Sequence, residues 1–179
     1  EDASHALGSK FFNKPIGDCK YSDLCVFSFH PVKIITTGEG GAVTTNDSKY
    51  YNKINALRSG GIFRDKKFLN NKNMPNWYYE QHLLGYNFRL NELQAALGNS
   101  QLTKIKILNQ KRKNIVKRYY NDLKNLPIEL PVVEKFYESA NHLFVIRIKY
   151  SKKINRDLVY KKLLKNGIES NVHYIPVFL

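Results

Sequence analysis

At 179 residues, 42% hydrophobic and 13% aromatic, the chain can bury a core as one domain or two small ones, and it has no internal repeat or low-complexity segment. No run approaches the roughly eighteen apolar residues of a membrane helix, and no charged-then-apolar start marks a signal peptide, so the expectation is a cytoplasmic protein without a membrane partner. The net charge of +14 raises nucleic acid as a partner, yet the basic residues are dispersed through segments such as Lys66-Lys67 and Asn70-Asn71-Lys72-Asn73, and a stripe with interleaved aromatics is missing. Solvated surface is therefore the expectation, and nucleic acid is not.

The chain opens on Glu1-Asp2-Ala3-Ser4-His5-Ala6-Leu7-Gly8 with no initiator methionine, which reads as a piece of a longer protein. Cys19 and Cys25 lie six apart, a spacing that fits neither a CxxC redox pair nor a zinc site, so a reducing compartment and no metal are expected. Leu24-Cys25-Val26-Phe27-Ser28-Phe29 is a short apolar run of buried-strand type, and Gly41-Ala42-Val43-Thr44-Thr45 reads as a second strand. Asp47 or Ser48 caps a helix through about Arg58, with Gly60-Gly61 as its stop.

From Gly61 to Tyr86 periodicity fails, and the concentration of aromatics around Trp77-Tyr78-Tyr79 points to an ordered, functional loop. A helix resumes behind the cap Asn91, with Leu93, Ala96 and Leu97 on one face, and Ile105, Leu108, Ile115, Tyr119 and Leu123 continue the pattern; these are predicted core residues. Leu126-Pro127 closes that region. The alternation from His142 to Tyr150 predicts a half-buried strand. A helix over about 155–165 follows, with Gly167 as a left-handed cap, and then a last strand from Ile168 to His173. The expected division is 1–110, belonging to a larger α/β domain, and 111–179, a small α+β domain.

Lys33 follows a strand and precedes Thr36-Thr37-Gly38-Glu39-Gly40-Gly41, a setting that suits a lysine forming a Schiff base. Pyridoxal 5'-phosphate demands an amine, a carboxylate for its ring nitrogen, a partner for its ring hydroxyl and donors for its phosphate. Lys33, Asp2, His5 and Ser28 answer these in turn. Each taken singly is ordinary: a surface lysine, a turn aspartate, a structural histidine, a small strand residue. Their joint occurrence carries the argument.

Together Glu1-Asp2-Ala3-Ser4-His5-Ala6, Phe27-Ser28-Phe29-His30-Pro31-Val32-Lys33, Thr37-Gly38-Glu39-Gly40-Gly41 and Gly85-Tyr86-Asn87-Phe88-Arg89-Leu90-Asn91-Glu92-Leu93-Gln94 resemble the DegT/DnrJ/EryC1/StrS sugar aminotransferase family. The resemblance implies a fold-type I, aspartate aminotransferase-like α/β architecture, here without the first part of the large domain and the extreme C-terminus. It also implies a homodimer with shared active sites, in which Asn87 reaches the cofactor phosphate of the neighbouring subunit, and a nucleotide-sugar site lined by His173, Tyr174, Ile175 and Pro176. Within the family, Phe29-His30-Pro31-Val32-Lys33-Ile34-Ile35, Trp77-Tyr78-Tyr79-Glu80-Gln81 and Val172-His173-Tyr174-Ile175-Pro176-Val177 are similar to the branch serving pseudaminic acid biosynthesis. That branch implies transfer of the amino group of L-glutamate to C4 of a UDP-linked 4-keto-6-deoxy-HexNAc sugar. The alternatives are another NDP-4-keto sugar as acceptor, a basic nucleic-acid module, or an inert binding fragment.

Overall fold

The computed structural model describes residues 1–151 and 154–178. Its elements run β1 (Lys10–Phe11), β2 (Lys14–Pro15), β3 (Cys25–Ser28), β4 (Gly41–Thr44), α1 (Ser48–Leu57), β5 (Ile62–Phe63), a 3₁₀ turn (Lys66–Phe68), β6 (Glu80–Gln81), α2 (Glu92–Thr103), α3 (Ile105–Leu123), β7 (Ile128–Glu129), β8 (Tyr137–Glu138), β9 (Arg147–Ile148) and α4 (Arg156–Lys165).

β3 is the centre of the structure because both its edges are used. On one side it pairs antiparallel with β4, Cys25 opposite Thr44 and Ser28 opposite Gly41. On the other, Asp2 bridges Val26 in parallel, with Ala3 N donating to Val26 O at 2.8 Å and Val26 N donating to Glu1 O at 2.9 Å. The period-2 alternation of a strand turns Cys25 and Phe27 inward. With Ala3 they form one buried cluster; Ile34, Ile35 and Ala140 form another. Leu7 and Phe29 pack against both. Gly41 is required where it stands, since a Cβ there would lie 2.6 Å from Phe27 O.

The helices begin where their caps foretell. Asp47 accepts from Lys49 N at 2.6 Å. Asn91 forms a reciprocal capping box with Gln94, Gln94 N donating to Asn91 Oδ1 at 2.9 Å and Asn91 N donating to Gln94 Oε1 at 3.1 Å. Asn155 caps α4, and Gly167, at φ +73°, closes it in the left-handed region. The helical region expected to run on from Asn91 is broken at Lys104 (φ −97°, ψ −4°), which ends α2 and starts α3.

Several expectations are corrected. From His142 to Tyr150 only β9 is a strand, paired with β7, and 142–146 is irregular. The segment from Ile168 to His173 forms no strand. Leu93 and Leu97 are not core: Leu93 is 84% exposed, and neither α2 nor α3 buries a hydrophobic side chain. The apolar stripe of α3 is present, but among the described residues it stays uncovered. The segment from Gly61 to Tyr86 is ordered, as its aromatics suggested: β5 and β6 pair antiparallel, and the Glu80 carboxylate accepts from Asn70 N (2.8 Å) and Asn71 N (3.1 Å).

Candidate active site

Lys33 stands at the tip of a loop over residues 29–40 that its own hydrogen bonds hold shut. Phe29 N donates to Gly40 O at 2.8 Å and Thr37 N to Phe29 O at 3.0 Å, so the loop leaves and re-enters the sheet at one place. Within it, Lys33 N donates to His30 O at 2.9 Å, and Thr36 Oγ1 donates to Phe29 O at 3.0 Å. Ile34 and Ile35, the next residues, are buried at 4% and 1% exposure, which fixes the backbone beneath the lysine. Helix α2 adds a third tie, Gln94 Nε2 donating to Glu39 O at 3.1 Å. A half-buried lysine on such a base has a defined origin for a flexible amine.

Asp2 reaches the same end of the sheet by its parallel bridge to Val26. Its Oδ1 accepts from Ser4 N (3.0 Å) and Ser4 Oγ (2.6 Å), leaving Oδ2 for another donor. The Ser4 bonds, assisted by the positive charge of His5 and Lys33, hold this carboxyl below its usual range, so it is ionised at neutral pH. His5 follows one turn later. Partial withdrawal from water, then Lys33 and His173, push its imidazole below the usual range, against the pull of Asp2.

His142 completes the group. Its ring lies 4.3 Å from that of His5, centroid to centroid, tilted by 55°. Burial first, then His5, Lys33, Arg112 and His173, bring it down to about 4. The structure thus gathers Asp2, His5, Lys33 and His173, four of the residues singled out in the sequence, into one electrostatic neighbourhood, and adds His142 and Arg112, which were not. His142 was hidden by the strand-like alternation around it, and its pairing with His5 spans most of the chain. Arg112 carries no signal beyond its place on α3.

The other expected residues are placed as follows. Ser28 ends β3, its Oγ accepting from His30 N at 3.5 Å. Asn87 is exposed and bridges Ser59 past the end of α1. Tyr174, Ile175 and Pro176 are exposed, and the Tyr174 ring lies 3.8 Å from that of His173. A hollow of about 390 Å³ beside Phe11, Tyr21 and Tyr137 contains none of these groups. No helix of the described residues is long and apolar enough to cross a membrane.

A half-buried amine, an ionised carboxylate with one oxygen unspent, an imidazole depressed toward its neutral form and a strand-end hydroxyl fit the donor set that pyridoxal phosphate asks for.

Comparison with known proteins agrees. The sequence pattern of the DegT/DnrJ/EryC1/StrS aminotransferase family matches residues 1–179. The UDP-4-amino-4,6-dideoxy-N-acetyl-beta-L-altrosamine transaminase of Helicobacter pylori is 40% identical over 178 residues, 99% of this chain and 44% of that protein. Among solved structures, Helicobacter pylori PseC, an aminotransferase of pseudoaminic acid biosynthesis, superposes with a TM-score of 0.83 at 40% identity, over 99% of this chain and 45% of that one. The putative sugar aminotransferase Spr1654 of Streptococcus pneumoniae, in its PLP form, gives 0.83 at 32% identity, over 98% and 43%. The chain spans about half the length of the curated relatives it matches.

Proposed function

Since this chain belongs to the DegT/DnrJ/EryC1/StrS aminotransferase family and shares its fold, we propose that it carries the cofactor-anchoring part of a pyridoxal 5'-phosphate-dependent nucleotide-sugar aminotransferase. The amino donor is L-glutamate, and the acceptor is C4 of a UDP-linked 4-keto-6-deoxy-HexNAc sugar in pseudaminic acid biosynthesis. The naming of the Helicobacter and Campylobacter relatives, at 40% and 37% identity, supports that sugar. One observation supports the site: the bridge of Asp2 to Val26 and the closed loop that follows β3 bring the segment of Asp2 and His5 and the loop of Lys33 to one end of the strand.

When bound, pyridoxal phosphate supplies an electron sink for the carbon that loses its proton. The chain's own residues do the rest. Lys33 would hold the cofactor through Nζ, and its free amine would be a base in position to carry the proton. Asp2, ionised, would face the pyridine nitrogen and keep it protonated. His5 would meet the ring hydroxyl, and Ser28 Oγ would donate to the phosphate. Asn87 reaches the phosphate bound by a second copy in a homodimer with shared sites. His173, Tyr174, Ile175 and Pro176 face the nucleotide sugar. The protein works in the cytoplasm, where glutamate and nucleotide sugars are at hand.

The test is borohydride reduction of the full-length gene product loaded with pyridoxal phosphate, followed by peptide mapping. A reduced adduct on Lys33, lost in Lys33→Ala with the fold retained, is the expected result. A folded wild-type protein without that adduct would remove the cofactor and the mechanism together.

A further inference from the structure

His142 is an expensive residue for its position. Among the described residues, its Nδ1 and Asn109 Oδ1 are the buried side-chain polar atoms with no hydrogen-bond partner. Unsatisfied buried groups are rare in native proteins and concentrate where a site demands them. An aliphatic side chain would fill the same volume without stranding a nitrogen. Five groups bear electrostatically on this site: His5 and Asp2 from the N-terminal segment, Lys33 from its loop, Arg112 from α3 and His173 from the C-terminal segment. The charges that act on His142 itself are all cationic, so the ring stays neutral across the physiological range.

Its backbone is fixed just as firmly. Ala140, two residues earlier, is 2% exposed and shares the buried cluster of Ile34 and Ile35, the residues that anchor Lys33. Ala140 N donates to Ser9 Oγ at 2.9 Å, tying the segment to the turn that follows His5. Asn141, at φ +53°, then redirects the chain so that His142 meets His5. One small core therefore sets the positions of both Lys33 and the ring that packs on His5.

We propose that His142 is a positioning residue of the Lys33 site, whose ring packs against His5 and holds that imidazole in the orientation in which it meets the ring hydroxyl of the cofactor. The assignment rests on the aminotransferase reading above. A tilted ring pair at this separation resists rotation of either partner. A neutral neighbour also adds no positive charge to a place already holding Lys33, Arg112 and His173. His5 is thus kept as an uncharged donor or acceptor, and its tautomer is left to be chosen by the cofactor.

The test uses the full-length gene product and two variants, His142→Phe, which keeps a ring of similar size, and His142→Ala, which does not. The first readout needs no cofactor: the rate at which diethyl pyrocarbonate modifies His5, mapped by mass spectrometry against pH, reports the titration of that imidazole. In the wild type it should titrate below the usual imidazole range. His142→Phe should leave the profile in place, and His142→Ala should raise both the rate and the apparent pKa. The second readout is cofactor retention on dialysis, which should weaken about tenfold in His142→Ala and little in His142→Phe. A His5 profile and cofactor retention unchanged in both variants, with only melting temperature lowered, would overturn the proposal and leave His142 a packing residue. Absence of a Lys33 adduct in the wild type would instead sink the aminotransferase reading, and the proposal with it.

Discussion

Asp2 shows how much a single side chain depends on its immediate neighbour. Ser4 contributes both hydrogen bonds that keep the carboxylate ionised, and both go to one oxygen. Asp2→Asn in the full-length protein should leave Lys33 able to hold the cofactor but slow transamination by about a hundredfold or more, because a neutral amide cannot keep the pyridine nitrogen protonated. Stopped-flow rates of the glutamate half-reaction would show it, and wild-type rates would dismiss the role. Two adjacent glycines make a matched stability test. A Cβ on Gly61 would lie 1.7 Å from Leu83 O at φ +73°, whereas one on Gly60, at φ +79°, meets nothing nearer than 3.6 Å. Gly61→Ala should cost about 3 kcal/mol or more and Gly60→Ala about 1 kcal/mol in denaturant unfolding. At this scale Lys33, Asp2 and His5 were legible in the sequence only together, because each alone is an ordinary residue and the chemistry needs the set. His142 was not, since its meaning lies in a ring 137 positions away in the chain, and alternation in its flanks imitated a strand.

Elements were legible in proportion to how local their determinants are. Asp47, Asn91, Asn155 and Gly167 act through bonds a few residues long, and each marks its helix end as read. Asn91→Ala, which removes one half of the capping box, should lower stability by about 1 kcal/mol, measured by chemical denaturation. Strands depend on a partner that the sequence does not name. Gly41–Thr44 found one in β3, whereas Ile168 to His173 found none. The loop closed by β5 and β6 hangs on one carboxylate. Its bonds to Asn70 N, His82 and Asn71 N hold Glu80 down to about 2, against an ordinary value of 4.5. A depressed carboxyl stabilises fully above its unfolded value, and that contribution fades as pH falls from about 4.5 toward 2. Amide exchange at Asn70 and Asn71 should therefore quicken over that window, ahead of global unfolding. Glu80→Gln should bring the same quickening at neutral pH, because the amide nitrogen cannot accept the second backbone donor.

The whole molecule is unusually open. Its accessible surface is 14056 Å² for 20.8 kDa, against about 9,000 Å² for a compact monomer of that mass. Leu84, Leu93, Val132, Ile175 and Phe178 are each more than four-fifths exposed. The periodicity of α3 marks an apolar face, but sequence pattern cannot say whether the covering surface lies in the same chain. Produced by itself, the 179-residue chain should bind a hydrophobic dye strongly and unfold without a sharp transition, while the full-length protein should do neither. A sharp calorimetric transition for the isolated chain would show that its two small clusters suffice.

Those clusters share Leu7 and Phe29. Asp2 rides on the first, beside Ala3, and Lys33 on the second, beside Ile34. The carboxylate and the amine are consequently mounted on a single chassis. The backbone beneath the carboxylate and the backbone beneath the amine are thereby tied to each other through the same few buried side chains.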